Sequence, residues 1–251
     1  MKKFLLNIFF LIFLFTIPIL PQQFSPGSPE WLVDMFFSKS NFPDKANYFS
    51  GEMLEETDKQ TIGEELNGKG EIFFHQINAT NDENVFAVEV KLENKVIDFY
   101  CYLQKQNDVW KIYAVRRFVL PDFVFQVLDS LSQLPSLADS SFYLSLTLFI
   151  QNDAQLKEYF VTNSDAFNNL INYFNQDNKA EGDRMLAKLG LNAIFRDKNF
   201  PGCIFVVINS FQNIGAGFIY AGDSAKLPEI SANDLIYLEE IIPGWFVFRS
   251  I

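Results

Sequence analysis

Val85-Phe86-Ala87-Val88-Glu89-Val90-Lys91-Leu92-Glu93-Asn94-Lys95-Val96-Ile97-Asp98-Phe99-Tyr100-Cys101-Tyr102-Leu103-Gln104 is the stretch on which the fold turns. Its period is two. Phe86, Val88, Val90 and Leu92 face one way and Glu89 and Lys91 the other. Beyond Glu93-Asn94-Lys95, Ile97, Phe99, Cys101 and Leu103 alternate with Asp98, Tyr100, Tyr102 and Gln104. Such alternation broken by a short polar turn predicts an antiparallel hairpin with one apolar face. Two neighbours extend it to a four-stranded meander. Glu71–Thr80 sets Ile72 and Phe74 against Phe73, His75 and Ile77. Val109–Leu120, after the turn Gln106-Asn107-Asp108, sets Trp110, Ile112, Ala114 and Phe118 against Lys111, Tyr113 and Arg117.

A sheet with one apolar face needs a cover, and the residues before it supply one. Ser28 caps a helix with Pro29 in its first turn, and Trp31, Leu32, Met35 and Phe36 share a face. After the break at Asn41-Phe42-Pro43-Asp44, residues 43 to 66 read as one or two further helices ending at Asn67-Gly68-Lys69-Gly70. The acidic group Glu52, Glu55, Glu56 and Asp58 reads as a solvated helix end. Downstream of the sheet, Pro121–Leu134 is an apolar helix, and the Ser-, Pro- and Asp-rich residues 135 to 141 mark a boundary. Phe142–Ile150 reads as a buried strand or the first packing segment of a second unit. Leu156, Phe160, Phe167, Leu170, Ile171 and Phe174 then form a helical stripe with a restart at Ser164, and Met185–Leu191 is a short helix stopped by Gly190. Short strands follow at Cys203–Asn209, Gly217–Ala221, Leu235–Ile241 and Trp245–Phe248. The fold class is therefore α+β: N-terminal helices on a curved antiparallel sheet (28–134), then a small α+β domain with a C-terminal antiparallel sheet (142–251).

Helices followed by a curved sheet ending in Asp108-Val109-Trp110-Lys111-Ile112 resemble the nuclear transport factor 2-like fold, shared with ketosteroid isomerases, over about residues 28 to 120. The resemblance implies a cone-like shape before any activity, because many exported members are non-catalytic modules. Leu156-x3-Phe160-x2-Asn163-x3-Phe167-x2-Leu170, Lys188-Leu189-Gly190-Leu191, Gly217-Phe218-Ile219-Tyr220 and Gly244-Trp245-Phe246-Val247-Phe248 resemble an uncharacterised domain of bacterial lipoproteins and exported proteins. That resemblance supplies no reaction.

Residues 1 to 23 read as a signal peptide or N-terminal anchor. Met1-Lys2-Lys3 precedes an apolar run from Phe4 to Leu20, and Pro21-Gln22-Gln23 is its polar exit. The expected localisation is extracytoplasmic, periplasmic or secreted, with residues 4–20 as a membrane anchor if the segment is not cut. No acceptor Cys follows the segment, which argues against a lipid anchor.

Lys and Arg number 20 against 31 Asp and Glu, for a formal net charge of −11. Such acidity disfavours nucleic acid and anionic membrane surfaces. An oxidising compartment permits a disulfide between Cys101 and Cys203, although two small buried apolar residues are the favoured reading. One histidine, His75, leaves no zinc set and reads as structural, and Arg116-Arg117 reads as an ion-pair partner. Gly215-Ala216-Gly217 lacks the third glycine of a dinucleotide loop, Tyr220 standing there, so no cofactor is implied. The 29 phenylalanines describe cores rather than chemistry.

No nucleophile, acid–base or metal set assembles. The leading expectation is an exported bacterial non-catalytic protein that binds another protein or a small ligand, with Tyr100, Tyr102, Tyr113 and Asp98 as its surface, the alternative for that face being cover by the second domain. One alternative is a cavity enzyme of isomerase or dehydratase type, with Asp98 as base and the tyrosines as acids. Another is an envelope assembly or immunity-type factor.

Overall fold

The computed structural model describes residues 24–134 and 140–251. The export segment and most of the 135–141 boundary lie outside the described residues. The chain is α+β, as its pattern predicts. Ser28 Oγ accepts the Trp31 amide at 3.2 Å and starts α1 (Pro29–Ser38), whose Leu32, Val33, Phe36 and Phe37 are buried. Residues 43 to 66 hold three short pieces instead of one or two helices: α2 (Lys45–Tyr48), a 3₁₀ turn (Gly51–Glu56) and α3 (Ile62–Leu66). Left-handed Asp44 and Gly51 interrupt the helical path. Glu64 ties the pieces together by accepting from the Thr61 amide (2.8 Å), the Phe42 amide (3.1 Å) and Lys45 Nζ (2.6 Å).

The first sheet is an antiparallel meander in the order β1 (Glu71–Ala79), β2 (Glu83–Leu92), β3 (Lys95–Gln106), β4 (Val109–Arg116). Asn107 and Asp108 both take positive φ in the last turn, as a tight hairpin requires. Phe86, Val88, Val90, Phe99, Cys101, Leu103 and Ile112 pack beneath α1, which is the cover the pattern demands. The opposite face carries Val85, Ala87, Tyr100, Tyr102 and Ala114 into a second core.

One expected face assignment is reversed. Tyr102 pairs with Ala114 but Leu103 with Ile112, so Tyr113 is an extra residue on β4. A bulge of this kind shifts the alternation by one. Ala114 and Phe118 therefore join the second core rather than Trp110 and Ile112. β4 also ends at Arg116, short of Leu120.

Five helices follow among the described residues: α4 (Asp122–Ser132), α5 (Ser141–Phe149), α6 (Asp153–Thr162), α7 (Ser164–Asn175) and α8 (Lys179–Lys188). α5 is the segment whose alternative reading was a buried strand. Leu144-Ser145-Leu146-Thr147-Leu148 alternates with the period of a strand, but Ser140, whose hydroxyl accepts the Tyr143 amide at 3.1 Å, starts a helix there. The restart at Ser164 is present, and left-handed Gly190 follows α8. The second sheet, in the order β5-β6-β7-β9-β8, contains β5 (Ala193–Phe195), β6 (Cys203–Phe211), β7 (Ile214–Ala221), β8 (Leu235–Ile242) and β9 (Trp245–Ser250). A Cβ on Gly217 would lie 2.3 Å from the Val206 carbonyl, so this glycine serves strand packing.

The second core is continuous from the first sheet through α6 and α7 to the second sheet. Phe160, Phe167, Phe218 and Trp245 fill its centre, with ring centroids 4.8–5.6 Å apart. Cys101 and Cys203 are free thiols in separate cores, one beneath α1 and the other on the outer face of the second sheet. The disulfide expectation is therefore corrected. Among the described residues no helix is long and apolar enough to cross a membrane.

Candidate functional site

The alternation of β3 points Asp98, Tyr100 and Tyr102 to the second core, and the bulge adds Tyr113 beside them. The second half of the chain covers this face, so the expected open aromatic surface is an internal junction. Tyr100 and Tyr102 are completely buried. Tyr100 donates to Asp153 Oδ2 at 2.7 Å and stacks on Tyr237 with centroids 5.0 Å apart. Tyr102 donates to the Ile236 carbonyl at 2.6 Å, and Tyr113 donates to Glu83 Oε1 at 3.3 Å. Three hydroxyls thus end on three separate acceptors, none of them Asp98. Burial raises the Tyr100 and Tyr102 hydroxyls well above the usual range, and burial and then Glu83 push Tyr113 up to about 12, so all three stay neutral donors.

The junction centres on an ion pair absent from the sequence-based expectation. Arg249, from β9, is 1% exposed and donates through Nε to Asp153 Oδ1 at 3.0 Å and through Nη2 to the Gln151 carbonyl at 2.6 Å. Its guanidinium lies 4.5 Å from the centre of the Phe118 ring. Nη1 is buried and has no hydrogen-bond partner among the described residues. Burial disfavours the charge, but Asp153 outweighs it and holds Arg249 protonated. Asp153 stands in the first turn of α6, directly after its cap Asn152, where an acidic residue has no need of a distant partner. Arg249 left one signal: it shares strand parity with the inward-facing Trp245 and Val247, where a charge demands a partner.

Asp98 is half-buried, and its Oδ2 accepts the Asp153 amide at the start of α6 at 2.8 Å. Burial, then the charge of Asp153, raises its carboxyl to about 7. A second node surrounds Glu239, which accepts from Tyr237 (2.6 Å) and from Lys157 (3.1 Å to each oxygen) and lies 3.1 Å from His75 Nε2. Burial raises the Glu239 carboxyl, but His75, Tyr237 and Lys157 together outweigh it and hold it at about 2. His75 thus has a structural partner. Arg116 pairs with Glu52 and donates to the Ala232 carbonyl at 2.6 Å, linking the 3₁₀ turn to the second half.

Asp98 stands between two cavities. One, of about 170 Å³, is lined by His75, Asp153, Lys157 and Tyr237. The other is a cleft of about 800 Å³ between the start of β3, the residues after β4, the first turn of α4 and the α5–α6 connection. Asp98 and Arg249 line it together with Phe118, while Glu93, Lys95, Arg117 and Asp122 are its exposed charges. Its size suits a small organic molecule or a short peptide. Among the described residues no group of three or more His, Cys, Asp or Glu is placed to hold a metal ion. No family model matches the chain, and no curated protein or solved structure matches it either.

Proposed function

We propose that this chain is an exported bacterial binding protein without catalytic activity. Its nuclear transport factor 2-like unit (28–134) and second α+β unit (142–251) are bolted together through Tyr100, Asp153 and Arg249. A ligand cleft remains at their junction. The observation that carries this reading is the 800 Å³ cleft backed by a buried Arg249 with an unused N–H, in a site where every neighbouring tyrosine hydroxyl is already bonded elsewhere. The test is a thermal-shift screen of small molecules and short peptides against the full chain. Binding should raise Tm in step with the logarithm of ligand concentration, by linkage of about 2.7 kcal/mol at a hundredfold excess over Kd. Val119→Trp, at an exposed cleft position, should abolish the gain. If no compound depends on the cleft, the reading fails. Export is tested separately by fusing residues 1–23 to a leaderless alkaline phosphatase, which should become active outside the cytoplasm.

The cavity-enzyme reading has one observation in its favour, a carboxyl that titrates near neutrality in a cleft. It predicts deuterium uptake from D2O into a small cyclic ketone, lost in Asp98→Asn. No uptake above the buffer rate removes it.

A further inference from the structure

β3 is longer than its partner on one side. Tyr100 opposite Arg116 is the last β3–β4 pair, whereas β2 pairs β3 all the way to Lys95. Over Lys95–Phe99 the strand is therefore bonded on the β2 side alone. Leu92 and Lys95 flank a two-residue turn and close the hairpin. The next residue in such a ladder, Val96, turns its N–H and C=O away from β2, and Asp98 does the same. Among the described residues no other backbone group bonds to that side.

The continuation of β4 has peeled away. Phe118 leaves the sheet to pack on Phe149, with centroids 5.5 Å apart, and on Arg249. The space opened between β3 and residues 117–120 is the cleft itself. An unpaired edge is usually shortened, bulged or covered. Here it lines a groove of about 800 Å³.

The inner wall gives the groove a polarity. Arg249 Nη1 is a buried donor without an acceptor among the described residues, and Arg117 is an exposed cation on the same cleft. The N-terminus of α6 adds its partial positive charge from the Asn152 end. Glu93 and Asp122 also border the cleft, with Lys95 and Arg117 to offset them. Asp98 already spends one oxygen on the Asp153 amide, leaving the other to accept an N–H.

We propose that the cleft takes an extended peptide with a free C-terminal carboxylate, added as a strand along Val96–Asp98, its carboxylate held by Arg249 and Arg117. Main-chain bonds to the β3 edge supply sequence-tolerant affinity, and the guanidinium groups select the chain end. This rests on the binding-protein reading above and deepens it.

The test uses the full chain, 15N-labelled, titrated with two pools of N-acetylated pentapeptides randomised at every position. One pool ends in a free acid and the other in a carboxamide. The free-acid pool should shift the amide resonances of Val96–Phe99 and the Arg249 Nε–H, with an apparent affinity at least about tenfold above the amide pool. Arg117→Glu, at an exposed position, should erase that difference. Val96→Pro, which removes an outward N–H, should weaken both pools at unchanged Tm. Equal binding of the two pools, or shifts that avoid β3, would overturn the proposal. If sodium octanoate shifts the cleft resonances but neither pool does, the peptide class is wrong and the binding-protein reading stands. Silence from all three probes counts against both.

Discussion

The two faces of the first sheet are built from the same strands, yet they are held by different physics. The face beneath α1 is mainly apolar, with Phe86, Cys101, Leu103 and Ile112 among its buried members and one polar pair, Gln76 and Asn84, at its edge. Contacts of that kind are non-directional and tolerate exchange of one hydrocarbon for another. The face toward the second half buries Tyr100, Tyr102, Asp153 and Arg249, each with a directed bond. Polar groups there cost free energy unless every partner is in place. The first face therefore secures a cover, and the second secures one particular docking of the two halves.

The sharpest way to break this contrast is to remove one member of the buried pair. Arg249→Met or Asp153→Ala should each lose about 3–5 kcal/mol in urea unfolding, because the remaining charge is stranded. Combining Arg249→Met with Asp153→Leu should recover much of that loss. A double variant as weak as the sum of the singles would show that packing, not charge, governs the site. On the other face, Leu32→Ala should cost about 2–5 kcal/mol, set by the cavity it leaves. Its effect should add to that of Arg249→Met, since the two lie in separate cores.

Smaller effects divide the junction further. Tyr100→Phe deprives the Asp153 carboxylate of a donor and should cost about 1.5–3 kcal/mol, whereas Tyr102→Phe loses a bond to a neutral carbonyl and should cost about 0.5–1.5 kcal/mol. Similar values for the two would remove the special weight placed on Asp153.

The last test is pH. The Asp98 carboxyl is raised from its ordinary value of 3.8 to about 7, so the native state binds the proton more tightly than the unfolded chain. Its ionisation then destabilises the fold progressively as pH rises from about 4 to about 7. Asp98→Asn should match the parent in Tm at pH 4 and exceed it at pH 8. Glu239, held at about 2, runs the opposite way: its contribution is present above about 4.5 and is lost as pH falls toward 2. Glu239→Gln should therefore be weaker than the parent at neutral pH and converge with it in acid.

Much of the architecture was legible because it is local. Period-two alternation located all four strands of the first sheet, and Ser28-Pro29 and the Ser164 restart located helix starts. The misreadings arose where one residue or one distant partner changes the answer. Tyr113 looks like any alternating residue until its neighbours on β3 show that it is extra. Ser141–Phe149 contains the strand-like alternation Leu144-Ser145-Leu146-Thr147-Leu148 and reveals its helix only through its cap. The candidate site was half legible. Alternation groups Asp98 and the tyrosines on one face and leaves open whether a partner or the second half covers it, but the covering groups Asp153 and Arg249 lie too far along the chain to be assigned to it.

The sequence by itself determined the α+β class, the strand faces and the need for a cover, because hydrophobic periodicity is written residue by residue along the chain. Only the tertiary structure decided that the tyrosine face is a junction, that Cys101 and Cys203 lie apart in separate cores, and that β4 leaves an edge of β3 unpaired beside Arg249. Those outcomes depend on which distant groups meet. A directed bond or a buried charge pair between residues 96 positions apart in the chain has no local signature.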